Sequence, residues 1–351
     1  MPGFGATEGK RFQLSVGWRY AKAHRSYFDS RFNRTFTDLW NPFERLSILD
    51  ISARYALTRR TSVFIAIPIV FNRFSVKLPP LGALGTQHHW HSDSLSDISV
   101  YAQRWMLDGR KHPFENFALG VGMKIPSGIW NLKATIPDET GLNPTRRAVY
   151  PPAIQPGDGG VGILVGFDSF KTFRGLPVLR GTTVFASGNY LINPRNTNGT
   201  GSIIKNLGVP LSGNFLNEQT NSVADTWSMR AGAAIKLPGT WNKPKLKGLR
   251  VLGVWHWEGL RSHDLFGRND GFRQPGWSMA FGPGITYGYK RNYWILEVPI
   301  TFAQHINPGR TALPGLPVRT PTGLAPARFN PFRQMGLVAP VSVSLRYVRT
   351  L

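Results

Sequence analysis

Hydrophobic positions along this chain recur at every second residue. Phe12, Leu14, Val16, Trp18 and Tyr20 alternate with Gln13, Ser15, Gly17 and Arg19. Successive side chains of a strand point to opposite faces, so such a run has one apolar face and one small or polar face. The same alternation returns at Leu49–Leu57, Phe117–Ile125, Val161–Phe167, Trp227–Leu237, Trp277–Tyr287 and Val341–Tyr347. Less regular runs at 63–72, 97–107, 183–193, 249–260 and 294–303 fill the gaps. In the run at 97–107 the facing is ambiguous, because Arg104 and Trp105 disrupt either register. The pattern predicts about twelve strands of about ten residues, the length a tilted strand needs to cross a bilayer.

The connections between these runs alternate in length. Long ones are expected at 24–44, 75–96, 130–159, 194–221, 261–276 and 307–336, and shorter ones at 58–61, 108–116, 172–180, 238–248 and 290–292. In an up-and-down barrel every second connection emerges on the same rim, so long loops gather at one end and short turns, with both termini, at the other. A sandwich has no such requirement. Backbone groups in hydrocarbon must all be paired, so a sheet spans a membrane only when closed, with an apolar lipid face and a lumen free to be polar. The expected fold is therefore all-β, a single antiparallel up-and-down transmembrane barrel over residues 11–351, with residues 1–10 as a periplasmic segment or plug. Trp18, Tyr20, Tyr55, Trp227, Trp255, Trp257, Trp277, Tyr287, Tyr289, Trp294 and Tyr347 fall near strand ends or on the apolar face, as membrane-interface aromatics do. Pro68, Pro126 and Pro299 fall on the inward face, where each either bends its strand near a rim or ends it.

Composition narrows the function classes. Cysteine is absent, which excludes a disulfide framework, a zinc knuckle and a thiol nucleophile. The most apolar stretch, Val63–Phe71, is interrupted by Pro68 and is too short for a spanning helix. The first ten residues show no basic segment followed by an apolar core, so no export signal is visible. A formal charge of +23 predicts attraction to phosphates. The basic residues are scattered and carry no nucleic-acid-binding module, so nucleic acid is not an expected partner. Loop arginines such as Arg31, Arg34, Arg147, Arg195, Arg268, Arg273, Arg310, Arg328 and Arg333 would instead meet lipopolysaccharide phosphates.

Four short motifs occur in a familiar order: Ile67-Pro68-Ile69, Ser96-Asp97-Ile98, Met123 to Gly128 with its Ile-Pro-Ser-Gly, and Pro156-Gly-Asp-Gly-Gly160. Over about the first 190 residues the chain resembles the outer-membrane barrel family named after the MetA pathway of phenol degradation. Val298-Pro299 and the last strand extend the likeness loosely. Ser96 stands where that family prefers Gly, Ser127 where it prefers Thr, and Leu351 where it favours Phe. The resemblance implies a bacterial outer-membrane channel associated with catabolism of aromatic compounds and carries over no catalytic residues. The expected function is passive uptake of small hydrophobic or aromatic molecules, with no cofactor. A non-conducting structural barrel, and a barrel-embedded lipid hydrolase, remain as alternatives.

Alternation puts Arg19, Asp50, Arg54, Lys124, Asp168, Arg230, Lys236, Arg250, His256, Glu258, Glu297 and Arg346 in the lumen. Charges there must be paired or hydrated: they form either a bracing ladder of ion pairs or a basic constriction that selects anionic and polar-aromatic solutes. His88, His89 and His91, in a predicted loop beside Asp93, are a weak metal candidate. Ser92 beside His91 and Ser262 beside His263 are the nearest approach to a hydrolase pair, but neighbours on a strand point apart.

Overall fold

In the computed structural model, residues 12–351 are described apart from 79–85, 138–144, 151, 176–178, 203–204, 206–217, 238–244, 268–269, 308–317, 321–322 and 326–334. The expected N-terminal segment, and Arg268, Arg310, Arg328 and Arg333, thus lie outside the described residues. Fourteen paired segments form one sheet that closes on itself, and two strands are each broken into halves, so the barrel has twelve antiparallel strands. They are β1 (Phe12–Ala23), β2 (Phe43–Ala56), β3 (Thr61–Leu78), β4a and β4b (Thr86–Leu95, Ile98–Trp105), β5 (Glu115–Ile125), β6 (Gly162–Thr172), β7 (Thr183–Ile192), β8 (Thr226–Lys236), β9 (Leu249–Leu260), β10 (Gly276–Tyr289), β11a and β11b (Asn292–Glu297, Ile300–Ile306) and β12 (Ser342–Thr350). Each pairs with the next, and β12 closes on β1 from Gln13↔Thr350 to Ala21↔Ser342.

The apolar residues are on the outside. Along β5, Phe117, Leu119, Val121, Met123 and Ile125 are 45–57% exposed, while the intervening Ala118 is fully buried. Leu14, Val16, Trp255, Phe281 and Leu345 are likewise exposed. Water would make this arrangement costly, at roughly 25 cal/mol per Å² of apolar surface, whereas lipid makes it the stable one. The aromatic residues singled out from the sequence all lie on this outer face, in two belts. Tyr287, Tyr289, Trp294 and Tyr347 stack in a row near the short-turn rim, with Tyr55 at the same end, and Trp18, Tyr20, Trp227, Trp255, Trp257 and Trp277 lie toward the long-loop side.

The two rims differ as expected, and the short turns are tightly made. Asp108 accepts from the Arg110 amide and faces Arg60 at 3.6 Å, contacts that hold its carboxyl below the usual carboxylate range. The main departure is at 75–96, expected as a loop: β3 continues to Leu78 and β4a returns beside it, pairing from Leu78↔Thr86 to Ile69↔Leu95. Pro68 is therefore inside β3. Register against β4 slips by one residue around it, between Ile69↔Leu95 and Ala66↔Ser99, and β4 breaks at Ser96-Asp97. A proline gives no ladder donor, so the bulge falls where the bond is already missing. Pro126 ends β5, and Pro299 lies in the break of β11, where the Val298 amide donates to the Pro283 carbonyl at 2.9 Å.

Candidate functional site: the lumen

Inward faces are full of small residues, and larger side chains lie over them. The Tyr101 ring occupies the space a Cβ would take at Gly120, the Phe185 ring crowds Gly232 beside the Gly253 carbonyl, and the Tyr293 ring lies against Gly288. The register of β4b resolves the ambiguous strand: Gln103 and Trp105 point inward, opposite Gly120 and Ala118, and Arg104 points out. Trp105 is 7% exposed and packs edge-on against Phe170, with ring centroids 5.7 Å apart. Phe185, Ala234, Leu252, Val254 and Ile295 form a buried apolar cluster beside it, with Phe170 and Tyr293 against its edge. All sit within a few residues of the short-turn ends, so the lumen has an apolar floor on the side of β4 to β11. Across from it the wall of β1 to β3 carries Gln13, Ser15, Ser52 and Ser62.

Above the floor lies a charged belt. Arg19 donates to Asp50 at 3.2 Å. Arg230 donates to Glu297 at 2.7 Å, and His256 Nε2 meets the other oxygen of the same carboxylate. Glu297 is 1% exposed, and the missing side chain at Gly282 makes its room: a Cβ there would collide with Oε1. Arg346 packs over Gly17 beside Asp50, within electrostatic reach of Arg19, Arg230 and Glu297. Asp168 accepts from Gln103 and faces Arg54, which covers the Phe64 ring at 4.9 Å. Four arginines thus share three carboxylates and one histidine.

Not every predicted lumen residue belongs to this belt. Lys236 and Arg250 pair across β8 and β9 at the short-turn rim, where Arg250 donates to the Gly181 carbonyl at 2.8 Å. Glu258 is exposed toward the long-loop mouth. Lys124 is drawn into a clasp. It lies 3.7 Å from Asp97 and bonds Asp158, while Asp97 accepts from the Gly128 amide at 3.0 Å and the Asp158 amide at 3.3 Å. Ser127 donates to the Ser96 carbonyl and accepts from the Ile98 amide. Ser96 and Ser92 donate to the carbonyls of Pro156 and Ile154. The motifs at Ser96-Asp97, Ser127-Gly128 and Pro156–Gly160 therefore meet in space. β5 leaves the wall at Pro126, so β4a lacks a strand on that edge, and the segment Ile154–Asp158 seals it. The glycines are required by closeness: a Cβ on Gly157 would lie 2.6 Å from the Gly128 carbonyl oxygen. Gly157→Ala should lower the unfolding midpoint, at a cost of about 1–3 kcal/mol, read from the temperature at which the compact band converts on a heat-modifiability gel.

His88, His89 and His91 are in strand β4a rather than a loop, and alternation divides them: His88 shares a face with Trp90, His89 and His91 the other. Among the described residues no three metal-capable side chains come together. Ser92 is buried on the face opposite His91, so that pair does not meet. Arg273 is not a free loop arginine but a buried bidentate partner of Asp264, at 2.8 Å on both arms, and Arg195 donates to the carbonyls of Gly159 and Thr197.

No protein-family model matches this sequence, and no curated relative does. Among solved structures, an outer membrane channel from Pseudomonas putida F1 matches with TM-score 0.55 and 11% identity, covering 100% of this chain and 99% of that one. The toluene transporter TodX of Pseudomonas putida matches at TM-score 0.44 and 10% identity, over 99% of this chain and 92% of that one. At these identities only the first carries weight, and it speaks to the fold.

Proposed function

We propose that the chain spans the bacterial outer membrane, long loops outward, as a narrow passive channel for small aromatic and hydrophobic solutes. The observation that carries this is the lumen itself: an arginine belt of Arg19, Arg54, Arg230 and Arg346 above an aromatic floor of Trp105, Phe170, Phe185 and Tyr293. Arginine planes attract aromatic faces, and their surplus positive charge favours anionic substituents. Barrels of eight strands are filled and those of about sixteen hold wide water channels, so twelve gives a pore matched to small solutes. The lipid-facing band, the unequal rims and the fold shared with the Pseudomonas putida channel support the same reading. Membership of the phenol-degradation family is part of the proposal, supported by the meeting of its motifs in the wall clasp. The packed floor also favours a second reading, a barrel that conducts nothing.

Planar-bilayer recording and liposome swelling on the full chain separate the two. Discrete low-conductance steps are expected, with benzoate and phenol entering faster than a sugar of similar mass. Replacing Arg19 and Arg346 by serine should lower the anion-to-cation permeability ratio severalfold. Absence of steps, together with no swelling in any solute, overturns the channel.

A further inference from the structure

On the outer face near the long-loop rim, three cations stand side by side. The register places Lys22 opposite Arg45 and Arg45 opposite Arg73, with His91 next in the row. Like charges directly opposite one another across a sheet destabilise it. Lys22 and Arg45 are exposed, and no carboxylate among the described residues pairs with either. Arg73 alone has an acidic partner, Asp93, whose second oxygen it holds at 3.1 Å. The row keeps a net surplus of two charges.

Its surroundings indicate what the missing anion is attached to. Lys22 and Arg45 flank the Phe43 ring at 5.2 and 5.7 Å. Just above, a hollow of about 330 Å³ is lined by His24, Asn41, Phe43, Ser75, Gln87 and His89 along with Lys22. The shielded Nδ1 of His24 has no hydrogen-bond partner among the described residues. Just below, Tyr20 stacks on Trp18 at 5.8 Å, and Val16, Ile51 and Ile65 continue the exposed apolar band. Among the described residues, no other charged side chain faces outward along β1, β2 and the lower half of β3. Cations sit about 7 Å above the aromatic belt, two residues along a strand, where a membrane lipid carries its phosphate.

We propose that Lys22, Arg45 and Arg73 bind a phosphate of lipid A, with acyl chains against the apolar band and the sugar edge at the hollow. Phosphate oxygens accept from several cations at once, which turns the like-charge row into a bridged one. The assignment rests on the long loops facing the outer leaflet, as proposed above.

Native mass spectrometry and heat-modifiability of the detergent-purified full chain test it. With bisphosphorylated lipid A a single retained adduct and a raised conversion temperature are expected. The double variant Lys22→Gln/Arg45→Gln should lose at least about tenfold in affinity, the scale of one to two charge-assisted hydrogen bonds, while Arg59→Gln at the short-turn rim should bind like the parent. Equal binding of dephosphorylated lipid A or of phosphatidylglycerol, unchanged binding by the double variant, or equal loss by Arg59→Gln would overturn it. Conductance of the same preparation is read separately: lipid retention without conductance sinks the channel alone, and conductance without retention sinks this site alone.

Discussion

Glu297→Gln should cost about 3 kcal/mol of stability and raise the preference of the pore for anions. The carboxylate is buried, compensates Arg230 and is bonded by His256 Nε2, with Arg346 nearby. Breaking a buried ion pair by removing one partner leaves a charge without compensation, typically at about 3–5 kcal/mol. The lower end applies because Arg230 keeps 29% of its side chain exposed and water can reach it. Its Nε already lacks a hydrogen-bond partner among the described residues. The amide would leave four arginines facing two carboxylates. The conversion temperature should therefore fall and the reversal potential in a salt gradient should shift toward the anion limit. In the double variant Arg230→Gln/Glu297→Gln the loss of stability should be smaller than the sum of the two single losses, since the pair is removed together. An unchanged conversion temperature and an unchanged reversal potential would show that the belt is hydrated rather than coupled.

How far the sequence could be read follows from what lipid enforces. Within the bilayer, alternation is obligatory, so the runs at Leu14–Trp18, Phe117–Ile125 and Val341–Leu345 declare strand and facing together. Above the bilayer that constraint lapses. Along the end of β3 the apolar and polar faces change sides, Arg73, Ser75 and Lys77 outward and Phe74, Val76 and Leu78 inward, so the run no longer reads as a lipid-facing strand, and the histidines of β4a look like loop for the same reason. The lumen charges were legible because a charge set between lipid-facing aliphatics must turn to the opposite face, but their grouping was not. Lys124 and Glu297 have the same one-dimensional signature, yet one is tied into the wall clasp and the other into the belt. Those outcomes depend on where Pro126 ends β5 and on the space left by Gly282. The cation row was hidden altogether, since only the register brings Lys22, Arg45 and Arg73 together. Arg273 looks free in one dimension because its loop gives no sign of burial: the Asp264 carboxylate that pairs with it also accepts from the Asp225 amide at 2.8 Å, so the rim folds over its own charges.

The aromatic floor was missed for a related reason: inward aromatics near a strand end, such as Phe170, Phe185 and Tyr293, resemble turn-flanking residues until the neighbouring glycines are seen. Removing the floor should have the largest effect on flux. Trp105→Ala/Phe185→Ala deletes the two side chains that bracket Phe170 and the Leu252–Ile295 cluster, opening space on the wall of β4 to β11. Single-channel conductance should rise severalfold and sugars should begin to enter liposomes, because the remaining wall at that level is lined by Gln13, Ser15, Ser52 and Ser62, with Arg54 covering Phe64 as its one bulky pair. Large-to-small changes of buried aromatics typically cost about 3–5 kcal/mol each, so Phe185→Leu, closer in volume, serves as the variant that keeps the fold. It should raise conductance less but in the same direction. If the double variant folds, as judged by its heat-modifiable band, and conducts no more than the parent, the narrowest point lies elsewhere, and the arginine belt above becomes the barrier that decides what passes.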